Sequence, residues 1–104
     1  MANPFAGEVE LVVDGVARTA RLTLGALAEL ESALGEDSLV ALVARFEGGC
    51  VASRDVMALL VAGLRGGGWR VTAQDLLAAD IAGGPLGAAR AAAELLARAF
   101  AVPS

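Results

Sequence analysis

The chain has 104 residues, 57% of them apolar, and a net charge of −4 from twelve acids and eight bases. A length like this supports one core, so a single domain over 1–104 is expected. His, Lys and Tyr are all missing, which removes the commonest general bases, His-dependent triads and Schiff-base amines, so the chain is not expected to be an enzyme.

Alanine supplies 24 of the apolar residues, with 13 Gly besides, and there are three Phe and one Trp. The core is therefore aliphatic and thin, and helices dominate. An acidic chain without a basic stripe is a poor match for phosphate backbones, so no direct nucleic-acid contact is expected. A DNA-binding regulator would need Arg18, Arg21, Arg54, Arg65 and Arg70 gathered on one face. The lone Cys50 excludes an intrachain disulfide and reads as a small apolar loop residue, with no His to activate it. One Cys and scattered carboxylates hold no metal site or cofactor. Glu29 with Glu31, and Asp75 with Asp80, diverge on their helices. The opening MANPFAGEVE has no positive segment ahead of an apolar run, so no secretory leader is expected. The apolar run from Val56 to Leu64 falls far short of the roughly 20 residues that span a bilayer. A cytoplasmic setting without membrane contact follows.

In chain order, EVELVV over Glu8 to Val13 is followed by Asp14-Gly15 and VARTARL. Asp-Gly between β-prone runs predicts a two-residue hairpin over about 8–22, with both turn residues at positive φ. That turn pairs Val13 with Val16, Val9 with Ala20 and Glu8 with Arg21. Val9, Leu11, Val13 and Val16 form the face expected to lie on helices, with Val12 on the outer face. A lone hairpin is marginal in water, so it packs on helices or pairs with another strand.

The helical part spans about 24–101. Thr23 caps a first helix from Leu24 to Leu34, whose Leu24, Leu27, Leu30 and Leu34 recur at helical spacing, and Gly35 stops it. Asp37 or Ser38 caps a second helix whose apolar positions are Leu39, Leu42, Val43 and Phe46, ended by Gly48-Gly49. The third begins at Ser53 and is apolar on most sides through Leu64, which makes it the central helix. It ends at Arg65 and the triple glycine Gly66-Gly67-Gly68. No G-K-[ST] follows those glycines, so they read as a mobile helix-ending loop and not as a phosphate cradle. Thr72 and Asp75 form a capping box for a fourth helix holding Leu76, Leu77 and Ile81, which stops at Gly83-Gly84. Pro85 opens a fifth, running to about Ala101. Leu86, Ala89, Ala93, Leu96 and Phe100 line one of its faces, and Arg90, Glu94 and Arg98 another. The fold class is α+β: an N-terminal two-stranded hairpin packed on about five short helices.

Two features point beyond a structural role. Trp69, beside Arg70, either caps the thin core or anchors a partner surface, where Trp and Arg are enriched. Short Ala-rich helices also leave surplus apolar surface, a potential groove for a partner helix or strand.

The segments MANPFAGEVELVVDG, ARLTLGALAELESALG, LVALVARFEGG, GLRGGGW and PLGAARAAAELLARAF carry a likeness over nearly the whole chain. It resembles a family of small proteins encoded with the structural genes of gene transfer agents and related tailed phages of α-proteobacteria. The resemblance implies a tail-morphogenesis factor similar to a tail assembly chaperone, which binds apolar helical segments of the tape measure protein before tube subunits assemble. Members are also labelled tail tube proteins, so a structural tube or connector component is the alternative. The partners implied are the tape measure protein, the major tail protein, or both, with homo-oligomers possible. From residue type and expected partial exposure, and not from the resemblance, Val12, Phe46, Trp69, Arg70 and Phe100 are the expected partner-binding residues.

Overall fold

A computed structural model describes residues 7–34, 39–49 and 52–100, with the backbone alone at Leu34. Among them the order is β1 (Glu8–Val13), β2 (Val16–Arg21), α1 (Leu24–Leu34), α2 (Leu39–Gly48), α3 (Ser53–Gly66), α4 (Ala73–Leu77) and α5 (Gly84–Ala99). This is the α+β arrangement expected, a hairpin followed by five helices.

Asp14 and Gly15 take φ of 51° and 79°, the left-handed pair that a two-residue turn requires. The register follows: Glu8↔Arg21, Val9↔Ala20, Leu11↔Arg18 and Val13↔Val16. Val9, Leu11, Val13 and Ala20 are buried on the helical side. Val16 shares their face but is half exposed, because it lies at the turn, past the helices that cover the rest.

The hairpin both packs on helices and gains a further backbone pairing. Ile81 bridges Val13, the Ala82 N–H donates to the Val12 carbonyl at 3.0 Å, and the Asp14 N–H donates to the Asp80 carbonyl at 2.7 Å. The Asp14 carboxylate accepts in return from the Asp80 N–H at 2.8 Å. This pairing corrects the expected fourth helix. It ends at Leu77 and does not reach Ile81, because the backbone of residues 80–82 is taken by the edge of β1. Its start is as expected, with Thr72 and Asp75 exchanging bonds of 3.1 and 3.2 Å.

Central α3 packs on α1, β2, α4 and α5, burying Leu59, Leu60, Ala62 and Leu64. Its C-terminal glycines are not a free loop, contrary to expectation. A Cβ at Gly66 would collide with the Arg21 carbonyl oxygen, and one at Gly67 with that of Thr19. With Val13↔Val16 closing the turn, the backbone groups of Thr19 and Arg21 point away from β1. The end of α3 therefore lies on the free edge of β2, and only glycine permits so close an approach.

On α1 the Thr23 hydroxyl accepts from the Ala26 N–H at 3.0 Å, the expected cap. The buried positions are Ala26 and Leu30, with Leu27 partly covered, whereas Leu24 is 85% exposed. As the first helical residue, Leu24 precedes the turn that meets α3. The expected stop at Gly35, the cap at Asp37 or Ser38, and Cys50 fall outside the described residues. Helix α5 runs to Ala99; the expected end, at about Ala101, falls outside the described residues. Its buried face carries Ala88, Ala91, Ala92, Leu95 and Leu96. Leu86 and Ala93 of the apolar face named above are exposed, so the buried side is rotated from that face, while Phe100 is half exposed as expected of a contact residue. Alanine occupies nearly every side of α5, and the bulk of Leu95, seated against Gly63 of α3, decides which side is buried.

Candidate functional site

Helix α2 is held by side chains on one flank. Leu42 is fully buried, and Arg45 forks onto Asp55 in the first turn of α3, Nε to Oδ2 and Nη2 to Oδ1, both at 3.0 Å. Asp55 Oδ2 also accepts from the Ala52 N–H at 3.1 Å. Ala52 offers no side-chain acceptor in return, so only the acid's half of a capping box is made. Burial pushes the Asp55 carboxyl up. The Arg45 hydrogen bonds, the Ala52 amide, and the charges of Arg45 and Arg54 outweigh that and hold it below the usual carboxylate range. One acid thus starts α3 and fastens α2.

That attachment turns the other flank of α2 toward α5 and solvent. Along that flank lie two adjoining apolar hollows, one between α2 and Phe100 and the other between α2 and α5. One, of about 330 Å³, is lined by Leu39, Val40, Val43, Ala44, Glu47 and Phe100. The other, of about 340 Å³, takes in Val43, Phe46 and Glu47 from α2 with Ala93, Leu96, Ala97 and Phe100 from the α5 side. Val40 is 78% exposed and Phe100 49%, a large apolar area to leave in water. Among the described residues the cleft offers a greasy contact with one carboxylate, Glu47, at its rim. Among the described residues no three Cys, Asp or Glu side chains gather where they could share a metal ion.

The expected contact residues divide. Phe46 and Phe100 meet in the cleft. Trp69 is partly buried against the core, and the Arg18 guanidinium lies over its ring, 4.1 Å from the centroid. Arg18 faces inward because it is the register partner of Leu11, so the pair closes one end of the core with a cation–π contact. Arg70 lines a separate polar hollow with Thr23 and Arg65, where Arg65 pairs with Glu29 at 3.2 Å. Val12 is half-buried, and its carbonyl serves Ala82. Neither hollow of the cleft is lined by Val12, Trp69 or Arg70. Sequence reasoning passed over Val40, Ala44, Glu47 and Ala97 of the cleft. The exposed Val40 beside Leu39 was a signal, since both cannot face one core.

Residues 6–102 match the family model described as phage tail tube protein, GTA-gp10. The chain belongs to this family. The match bears out the likeness to gene transfer agent proteins and makes this a tail-related protein of a phage or gene transfer agent. It is a family of a structural tail protein and not of enzymes. No curated protein and no solved structure matches the chain. Among the described residues no helix is long and apolar enough to cross a membrane.

Proposed function

We propose that this member of the family acts as a tail assembly chaperone, binding apolar helical segments of the tape measure protein before tube subunits close around it. One observation carries the reading: among the described residues the sheet has two strands, with other groups bonded to or packed on both edges, while helical residues line an open apolar cleft. A tube ring grows by closing sheets into a barrel, which needs free edges and several strands per subunit. Here β1 is engaged by residues 80–82 at one end and by the Arg98 guanidinium donating to the Glu8 carbonyl at the other. The free edge of β2 is covered by Gly66 and Gly67. A cleft between helices suits a helical client.

The family description favours a second reading, a structural tube or connector component of the particle, in contact with the major tail protein. Co-expression separates the two. Under the chaperone reading, the tagged chain co-purifies with the tape measure protein when no tube subunit is present. Co-purification with the major tail protein alone favours the structural reading.

A further inference from the structure

We infer that the client-binding site is the cleft between α2 and α5, and that its occupant is an amphipathic α-helix whose apolar stripe is flanked by Lys or Arg. Its premise, a helical client, is the chaperone reading; the cleft adds where that helix lies and what charge it carries.

The two hollows share Val43, Glu47 and Phe100, so they form one track. The walls are α2 and, in the second hollow, α5, helices whose backbone groups bond within themselves, and the ends of the β1 edge are taken by other groups. An extended strand finds no ladder to join, whereas bulky side chains three or four apart on a helix enter successive hollows. Ala93 and Ala97, both exposed and one turn apart on α5, leave room for a partner helix to approach closely. Charge selects the partner further. Among the described residues Glu47 is the charged lining residue of both hollows, and it is exposed. A carboxylate at an apolar rim favours a cation on the occupant and disfavours an acid.

The same charge disfavours a second copy of this chain. Two-fold pairing would set cleft on cleft, bringing Glu47 toward its own image. Among the described residues neither hollow has a basic lining residue, and each chain already carries −4.

The test titrates overlapping synthetic peptides, covering the apolar helical segments of the cognate tape measure protein, against the full chain. Variants are Glu47→Lys and Ala97→Arg in the cleft and Leu24→Ser outside it, all at exposed positions, with circular dichroism to check the fold. The tightest peptides are expected to carry basic residues beside the apolar stripe and to bind more weakly as salt rises. Glu47→Lys is expected to weaken them by about tenfold, and exchanging the peptide's Lys for Glu to restore the loss. Ala97→Arg is expected to abolish binding and Leu24→Ser to leave it unchanged. Binding that survives both cleft variants overturns the site but leaves the chaperone reading standing. A preference for acid-flanked peptides overturns the assigned charge. A wild-type dimer that Ala97→Arg turns into monomer gives the cleft to a second copy instead. If neither the peptides nor the full-length tape measure protein binds the wild-type chain, the chaperone reading falls, and this site with it.

Discussion

Asp55 is the residue on which the attachment of α2 depends, since it takes both arms of Arg45 and the Ala52 amide. Arg45→Ala leaves that carboxylate buried with half its partners gone. Removing one member of a buried pair costs several kcal/mol, but Arg45 is 25% exposed, so water screens part of the loss. The expected cost is about 2 kcal/mol, read as a lower urea midpoint at unchanged slope. The acid also predicts a pH dependence. Its folded pKa is depressed, so at low pH the unfolded chain binds the proton more readily than the folded one. The contribution is present at neutral pH and is lost as pH falls below about 4. Asp55→Asn should be less stable than wild type at pH 7 and lose less between pH 5 and pH 3. An equal loss in both proteins would remove Asp55 from the account. At the other end of the core, Arg18→Met keeps the stem but removes the charge over Trp69. It should cost about 1 kcal/mol and shift the emission of the chain's single tryptophan.

The elements meet through glycine as much as through leucine. Gly66→Ala puts a methyl into the Arg21 carbonyl, a backbone group that cannot swing aside, and should cost about 3 kcal/mol. Gly25→Ala on α1 meets only ordinary contact with the Thr23 hydroxyl and should stabilise by about 0.5–1 kcal/mol through helix propensity. Thermal melts of the pair test whether the triple glycine is a seam or a loop: equal effects would favour a loop. The hairpin was legible in the sequence because Asp14-Gly15 admits one turn type, and that turn sets every pair from Glu8↔Arg21 to Val13↔Val16. The caps at Thr23 and Thr72 were legible because hydroxyl and acid spacing is local chemistry. The setting of α5 was not, because an alanine-rich helix has several equally apolar faces. The cleft was legible only in part: Phe46 and Phe100 were named for their bulk, while Glu47 and Ala97 matter through the neighbours they acquire. The role of Asp55 was hidden for the same reason, since Arg45 reaches it across two helices.

At the scale of the molecule, the described residues combine a two-stranded sheet whose edges are partly taken by other groups with an open helical cleft that has an acid at its rim. That division suits a protein that holds another chain for a time better than one that polymerises by extending a sheet. The most direct measurement is the protein composition of purified particles, by quantitative mass spectrometry against the major tail protein. A chaperone is left behind when the tail closes, so the account predicts that this chain is absent, or present far below the tube subunit. Its recovery at ring stoichiometry with the tube would contradict the account and make it a structural component.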